Sequence, residues 1–170
     1  MQKDIENLNL KKPLLLPNDV EPPKKLVSER FLAKPLTRED LNADLEGVNS
    51  SIDTIQKTRG GSWPTEKLTK DFDLLDLAWH EREFRDGDSF AYVIYSNDGE
   101  YLGCFYLYGI GLRTPLNNET IDYEVDASWW VTTDAYEAGY YAKVYHALQQ
   151  WLSNDFRFTK VIYSNKEIPS

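Results

Sequence analysis

Cysteine and histidine are scarce in this sequence, which limits the chemistry that its side chains can perform. Cys104 is the single cysteine among 170 residues, so an internal disulfide is excluded. Its surroundings, LGCFYL, are typical of a small buried hydrophobic residue rather than of a nucleophile. The two histidines do not join a cysteine in a metal-binding spacing, and we expect no metal site.

A long apolar run and an excess of positive charge are also missing. No apolar stretch reaches the length of a membrane span, and the charged start MQKDIENLNLKK lacks the apolar core of a signal peptide. The formal net charge of -9 disfavours nucleic acid and anionic membranes as partners, because both attract positively charged surfaces. We therefore expect a cytoplasmic protein with no nucleic-acid or membrane partner, in which any anionic cofactor is held locally.

Aromatic residues, in contrast, make up 14% of the chain and include eleven Tyr and five Trp. Such residues suit positions with one apolar and one wet side, so we expect a core of large rings and further rings along a cleft. The length fits one globular domain, which we place at residues 30–170. Residues 1–29 contain four prolines and predict an extended N-terminal arm. The leucines at 14–16 either anchor this arm in a groove or belong to a mobile tail.

The first half of the domain predicts one strand followed by two helices. RFLAKPL alternates briefly as a strand does, and Thr37 is then a candidate N-cap, with Asp40 three residues later as in a capping box. The helix that follows is expected to end near Arg59, where two glycines favour a C-cap. Its apolar face comprises Leu41, Leu45, Val48, Ile52 and Ile55. Thr69 caps a second predicted helix, which runs to about Arg85.

The clearest local signal is an antiparallel hairpin. SFAYVIYS and YLGCFYLYGI are rich in aromatic and β-branched residues, and Asp98-Gly99 stands in the turn between them. Gly103, inside the second strand, indicates a bulge or a close approach to the backbone. Near the end of the chain, TKVIYSN predicts a short final strand.

The stretch from Glu124 to Leu152 changes its hydrophobic period from that of a strand to that of a helix. One face of the strand carries Val125, Ala127, Trp129 and Val131. The other face carries Glu124, Asp126, Ser128 and Trp130. The helix starts at about Gly139, and its apolar face comprises Tyr141, Val144, Leu148 and Trp151. The unpaired N–H groups and the positive dipole end at such a helix start can bind phosphate.

The predicted order, β-α-α-β-β-β-α-β, is a mixed α+β arrangement that resembles the GNAT superfamily of acyl-CoA-dependent N-acyltransferases. The resemblance covers about Arg30 to Asn165 and implies a central, mostly antiparallel mixed sheet flanked by helices. The family signature at the coenzyme site begins with Gln or Arg. Any two residues follow, then Gly, then any one residue, and finally Gly or Ala. The corresponding run here is Tyr136 to Tyr141, in which only Gly139 keeps the pattern. Because the chain stops soon after its last predicted strand, the final helix and two strands of the usual fold are not expected.

The resemblance implies acetyl-CoA as the cosubstrate. In the family, backbone groups of the fourth strand pair with the pantetheine arm, which implies Trp129, Trp130 and Val131 here. Amides at the start of the next helix bind the pyrophosphate, which implies Glu137, Ala138, Gly139, Tyr140, Tyr141 and Ala142. Lys143 either contributes a phosphate contact or is solvated. Asn165 matches the Asn that commonly follows the fifth strand and contacts the coenzyme.

Acyl transfer to an amine needs a base, and family members often place an acidic residue on the fourth strand for this task. Glu124 and Asp126 are two residues apart on one strand face, and two nearby carboxylates can raise one pKa toward neutrality. Alternatively, they face solvent or pair with Lys or Arg. In the family, the loop between the first two helices walls the acceptor pocket, which implies Arg59 to Pro64 here; Trp63 lies in this loop and otherwise belongs to the core. Many family members use a Tyr after the fifth strand as the general acid, and Tyr163, at the end of the last predicted strand, is a further candidate for the substrate site.

The sequence therefore predicts an acetyl-CoA-dependent N-acetyltransferase that acts on a small-molecule amine by direct attack. The alternative is a non-catalytic GNAT-like module that binds CoA or a protein partner, in keeping with the altered signature. The shortened sheet edge also leaves room for a homodimer.

Overall fold

The computed structural model describes residues 10–17 and 20–170. Residues 1–9, Asn18 and Asp19 lie outside the described residues, and so does that part of the predicted N-terminal arm. No helix in the described ranges is long and apolar enough to cross a membrane.

A six-stranded sheet forms the centre of the molecule, and its strands follow one another in chain order. Neighbouring strands are antiparallel except for the last two, which are parallel. The strands are β1 (Leu26–Val27), β2 (Phe31–Pro35), β3 (Phe90–Ser96), β4 (Tyr101–Tyr108), β5 (Val125–Val131) and β6 (Val161–Tyr163). The expected α+β class with a mixed, mostly antiparallel sheet is confirmed. β1 is not among the predicted strands, and it lies inside the range expected to be an arm.

In the part of the chain that the structure describes, five α-helices flank the sheet. They are α1 (Leu41–Asn49), α2 (Ile52–Thr58), α3 (Lys70–Asp86), α4 (Thr133–Glu137) and α5 (Tyr140–Asn154). Thr37 and Asp40 form the predicted capping box, around a short 3-10 turn that precedes α1. Thr69 caps α3 as predicted, accepting a hydrogen bond from the N–H of Phe72 at 3.1 Å. The short helix α4 was not predicted.

The single helix predicted from Thr37 to Arg59 is wrong, because the chain breaks between α1 and α2. Ser51 has φ -134° and ψ 19°, outside the helical region. Its buried hydroxyl accepts a hydrogen bond from the N–H of Thr133 at 2.9 Å. A tertiary contact with the start of α4 therefore overrides the regular apolar spacing of the sequence.

Both faces of the sheet are covered by apolar side chains, and β5 separates the two cores. The first core contains α5 and, as predicted, Val125, Ala127, Trp129 and Val131 of β5. The second core contains Trp130 of β5, packed with Val48, Ile55 and Leu77 of the first three helices. The predicted inner face of α5 is also confirmed, since Tyr141, Val144, Leu148 and Trp151 are all buried.

The predicted hairpin is the β3–β4 pair, and Gly103 explains its irregularity. The register shifts opposite Gly103, between Ile94 and Tyr95, and Gly103 has a φ of +151°. A Cβ atom at Gly103 would overlap the backbone carbonyl of Trp130 in β5. Both the bulge and the close backbone approach are therefore present, and both follow from the missing side chain. Cys104, the next residue, is fully buried.

The described part of the N-terminal segment is fixed on the domain. Leu14 is 7% exposed and belongs to the first core, whereas its neighbour Leu15 is 73% exposed. The N–H of Lys12 donates to the carbonyl of Ile110 at 2.7 Å, and its Nζ donates to two carbonyls of the loop before β5 at 2.6 and 2.8 Å. Gly109 lies so close to Lys12 that a Cβ atom would overlap its carbonyl. Leu14 therefore anchors this segment.

Candidate functional site

Strands β5 and β6 run side by side for a short distance only. The pairing begins at Val125 and Val161 and ends at Ala127 and Tyr163. One further bond runs from the N–H of Ser164 to the carbonyl of Ala127 at 2.9 Å. β5 continues beyond this point without β6 beside it, so its outward backbone groups need other partners.

Asn165 provides those partners for Trp129. Its Oδ1 accepts a hydrogen bond from the N–H of Trp129 at 3.0 Å, and its Nδ2 donates to the Trp129 carbonyl at 2.9 Å. Because the ladder of an antiparallel pair alternates, the backbone groups of Val131 point the same way as those of Trp129, and those of Trp130 point toward β4. The side chain of Asn165 therefore occupies one of the two positions at which β5 faces the opening.

Tyr141 and Tyr136, the two residues that depart from the family signature, hold the segment that carries Asn165. The hydroxyl of Tyr141 accepts from Asn165 Nδ2 at 2.7 Å and donates to the carbonyl of Glu167 at 2.6 Å. Its ring stacks on that of Trp129, with centroids 4.9 Å apart. Burial raises the pKa of Tyr141, so the hydroxyl keeps its proton and can donate. The hydroxyl of Tyr136 donates to the Glu167 carboxylate at 2.7 Å.

The start of α5 has no side-chain cap. Gly139 precedes it with a φ of +88°, a left-handed conformation that favours glycine. The amides of Tyr140, Tyr141 and Ala142 lie in the first helical turn and have no carbonyl partner within the helix. Residues 137–139 are exposed, so an anionic ligand can reach these amides from solvent.

A cleft of about 670 Å³ opens on the side of β5 that carries Asp126 and Ser128. Three segments form its walls: the loop after α2 (59–63), the loop between β4 and β5 (112–115), and the chain after β6. Trp63, which was predicted either to line an acceptor pocket or to belong to the core, lies in the first of these walls.

Two arginines converge in the cleft and are held by neutral groups. Arg113 donates from Nε to Ser164 Oγ at 3.0 Å, and from Nη2 to the carbonyls of Arg59 at 3.0 Å and Ser164 at 3.2 Å. Arg59 donates from Nε to Ser128 Oγ at 3.2 Å, and its guanidinium lies 4.6 Å from the ring centroid of Tyr106. These contacts fix both guanidinium groups in place.

Asp126 is fully buried behind the wall that Arg113 and Thr114 form. Its Oδ2 accepts a hydrogen bond from the N–H of Thr114 at 3.0 Å, whereas its Oδ1 has no hydrogen-bond partner among the described residues. Burial and the nearby Arg59 lower the pKa of Arg113, and the charge of Asp126 opposes that shift. A buried carboxylate oxygen without a donor indicates a place for water or a ligand group.

The whole chain resembles solved structures more clearly than it resembles known sequences. No protein-family model and no curated protein sequence matches it. A ribosomal-protein-S5-alanine acetyltransferase from Vibrio fischeri superposes with a TM-score of 0.60 over 81% of this chain and 71% of its own, at 8% identity. RimL, a ribosomal L7/L12 alpha-N-protein acetyltransferase in complex with coenzyme A, gives 0.58 over 79% and 68%, at 15% identity. A GNAT-family acetyltransferase from Bacillus anthracis gives 0.57 over 81% and 70%, at 12% identity.

The chain has the GNAT fold. The strand that the family numbers fourth is β5, and the resemblance implies a coenzyme between the opening beyond Ala127 and the start of α5. The amides of Tyr140 to Ala142, next to the exposed residues 137–139, fit a diphosphate. At Trp129 the backbone groups are bonded to Asn165, so a pantetheine arm fits there only when Asn165 gives up both bonds. Of the predicted backbone positions, Trp130 does not face the opening of this GNAT fold.

Glu124 is held by the chain that enters β6. Its Oε1 accepts hydrogen bonds from the N–H groups of Thr159 at 2.7 Å and Lys160 at 2.9 Å, and from the Thr159 hydroxyl at 2.9 Å. Partial burial acts to raise the pKa of Glu124, but the hydrogen bonds from Lys160 and Thr159 outweigh it and lower the pKa overall. The raised pKa expected from pairing with Asp126 is therefore wrong for Glu124.

Tyr163 and Lys143 do not lie in the cleft of this GNAT fold. Tyr163 is in register with Ala127, so its side chain faces the first core, where its ring lies 5.1 Å from Tyr145 and 6.4 Å from Trp129. This corrects the acceptor-pocket role expected for Tyr163. Lys143 is exposed in the first turn of α5, with its Nζ 5.4 Å from the ring centroid of Tyr140.

Arg113 is the site residue that the sequence did not reveal, because it stands in a loop without a pattern. Arg59 was expected at a helix end and, from the family resemblance, in the loop 59–64 that walls the acceptor pocket, but its contact with Arg113 was not expected. They are 54 residues apart, and their contact depends on how the loops pack against β6. No local spacing in the sequence carries that information.

Proposed function

We propose that the chain is an N-acetyltransferase that uses acetyl-CoA as its cosubstrate. The observation that carries the proposal is the backbone of β5 at Trp129 and Val131, which faces an opening that β6 does not fill. The uncapped start of α5 stands at the same end of the strand. The GNAT fold and the acetyltransferase activity named for its structural neighbours support this assignment.

In this proposal the residues of the chain bind and position the two substrates and deprotonate the acceptor amine. Bound acetyl-CoA supplies an activated acetyl group. The amides of Tyr140 to Ala142 bind its diphosphate, and the backbone of Trp129 pairs with the pantetheine in place of Asn165. Asp126 accepts the proton of the acceptor amine through a water molecule, because its unpartnered Oδ1 is buried behind the cleft wall. The neutral nitrogen then attacks the thioester carbonyl directly: the amide C–N bond forms, the C–S bond breaks, and the second proton lost by the nitrogen would convert the departing thiolate into free thiol.

The proposed acceptor is a small-molecule amine. RimL and the Vibrio fischeri enzyme are named for ribosomal-protein acceptors. The cleft of this chain, about 670 Å³ and bounded by three segments, has the size of a small-molecule site. Trp63 in its wall offers an apolar face to the carbon chain of such an amine.

Release of free CoA in the presence of primary amines tests the proposal. Asp126→Asn is expected to lower kcat by about 100-fold or more while the affinity for acetyl-CoA stays unchanged, because it removes only the base. Glu124→Gln serves as the matched control and is expected to keep wild-type turnover, since Glu124 is bonded to Thr159 and Lys160. Equal turnover in wild type and Asp126→Asn would rule out Asp126 as the base.

A second candidate function is coenzyme binding without catalysis. Asn165, held by Tyr141 and through it by Glu167, fills the Trp129 side of the opening, and a coenzyme that must displace it is expected to bind weakly. Calorimetry separates the two functions from a third, an interaction domain without coenzyme. Binding of acetyl-CoA without acetylation of any tested amine supports the second function, and absence of binding removes the first two.

The homodimer remains a prediction. β6 is the last strand of the sheet, and in residues 10–17 and 20–170 no further strand pairs with its outer side. A second copy could extend the sheet at this edge.

A further inference from the structure

The cleft carries more positive charge than the surrounding protein neutralises. Arg59 is 7% exposed, Arg113 is half-buried, and Lys166 is exposed at the rim. Among the described residues, no carboxylate forms an ion pair with any of the three. The charge of Asp126 stabilises the positive charge of Arg113. The three cations of the cleft therefore have one nearby carboxylate, although the net charge of the chain is -9.

The hydrogen bonds of the two guanidinium groups fix their positions without cancelling their charge. Among the described residues, the side chains of Arg113 and Arg59 donate hydrogen bonds to hydroxyl groups and backbone carbonyls only. Nη1 of Arg113 makes no hydrogen bond within the part of the chain that the structure describes. Holding two like charges together inside a protein costs free energy, and an anionic ligand would offset that cost.

Two glycines keep the approach to these cations open. Gly60 and Gly61 both have left-handed backbones, with φ of +80° and +84°. A Cβ atom at Gly61 would lie 3.3 Å from Nη1 of Arg113, and one at Gly60 would lie 3.1 Å from Cβ of Lys166. A side chain at Gly61 would therefore crowd Nη1 of Arg113, and a side chain at Gly60 would crowd the base of the Lys166 side chain.

We propose that this cleft binds an oxyanion, a carboxylate or a phosphate monoester, that the acceptor carries at the end opposite its amine. The acceptor part of this inference rests on the proposed acetyl transfer, whereas the oxyanion site stands on Arg59, Arg113 and Lys166 alone. Guanidinium donors match the paired oxygens of both anions. In the proposed acetyl transfer, Asp126 acts on the amine end through a water molecule. The substrate class is therefore a small amine with a terminal negative charge.

Titration of the protein with inorganic phosphate and with glutarate, in the absence of acetyl-CoA and at low ionic strength, tests the site directly. Both probes are expected to bind saturably, and the tighter one identifies the anion. Affinity is expected to fall about tenfold or more in Arg113→Gln and by less in Arg113→Lys, which keeps the positive charge but loses the paired donors. Arg82→Gln is the control, because Arg82 is an exposed arginine of α3 whose partners are Asp86 and Trp79.

The absence of saturable binding, or equal affinity in wild type and Arg113→Gln, overturns the proposal. The thermal unfolding of both Arg113 variants is recorded beside the titration, and a folded Arg113→Lys that loses binding as completely as Arg113→Gln also overturns the charge argument. Acetyl transfer to γ-aminobutyrate and to n-butylamine is then compared, and a preference for the anionic amine that disappears in Arg113→Gln supports the substrate class. If the probes bind but no amine is acetylated, the proposed acetyl transfer fails while the oxyanion site stands.

Discussion

Asp73 is a fully buried carboxyl group in the first turn of α3, and its proton links stability to pH. Burial, together with the nearby Asp44 carboxyl group, raises the pKa of Asp73 from 3.8 to about 8. The pKa of Asp44 is also raised, chiefly by burial. Two carboxyl groups that are buried side by side retain one proton, because burial makes it unfavourable for both to be ionised at once.

This raised pKa predicts that stability falls as pH rises from about 4 to about 8. Over that range the folded chain holds a proton that the unfolded chain releases, so the free energy of unfolding decreases by up to about 1.4 kcal/mol per pH unit. Asp73→Asn, which cannot ionise, is expected to flatten this dependence. Urea unfolding at several pH values measures it, and Asp71→Asn, an exposed residue of the same turn, is the control. A wild-type slope in Asp73→Asn would exclude the shared proton.

At the scale of the strand, Asn165 stands where a ligand amide is expected to pair with β5. Asn165→Ala leaves the N–H and carbonyl of Trp129 without a side-chain partner, at a cost of about 1–3 kcal/mol of stability for each group. The same change removes the group with which the coenzyme competes, so its affinity for CoA is expected to rise about tenfold. Calorimetric titration with CoA measures the change.

Asn49→Ala is the matched control for this variant. The side chain of Asn49 accepts from the N–H of Leu68 at 2.7 Å and donates to its carbonyl at 3.0 Å, the same pattern in a different part of the fold. It is expected to lose stability without a change in CoA affinity. A fall in CoA affinity in Asn165→Ala would show instead that Asn165 contacts the coenzyme, as the family resemblance implied.

Elements that depend on contacts between residues close in sequence could be predicted. Elements that depend on contacts between residues far apart in sequence could not. Thr37 and Thr69 cap helices through bonds to residues within three positions, and the turn at Asp98-Gly99 joins neighbouring strands. The break at Ser51 depends on Thr133, 82 residues away. Trp63 was reached through the family resemblance, whereas Arg113 was missed because loop packing alone brings it to the site.

For the molecule as a whole, the N-terminal segment is part of the folding unit. Leu14→Ala is expected to lower the free energy of unfolding by about 2–5 kcal/mol, because it leaves a cavity in the first core. Leu15→Ala, at the exposed neighbouring position, is expected to change it by less than about 0.5 kcal/mol. Urea unfolding of both variants gives the comparison. Equal effects would mean that Leu14 does not contribute to the core.

The carbonyl of Arg59 accepts hydrogen bonds from Nη2 of Arg113 at 3.0 Å and from the N–H of Lys166 at 3.2 Å. Lys166 directly follows Asn165. The proposed acceptor at Arg113 and the proposed coenzyme at Asn165 would therefore both act on the peptide 164–166. By linkage, whatever coupling this peptide carries would change the affinity for each ligand by the same factor.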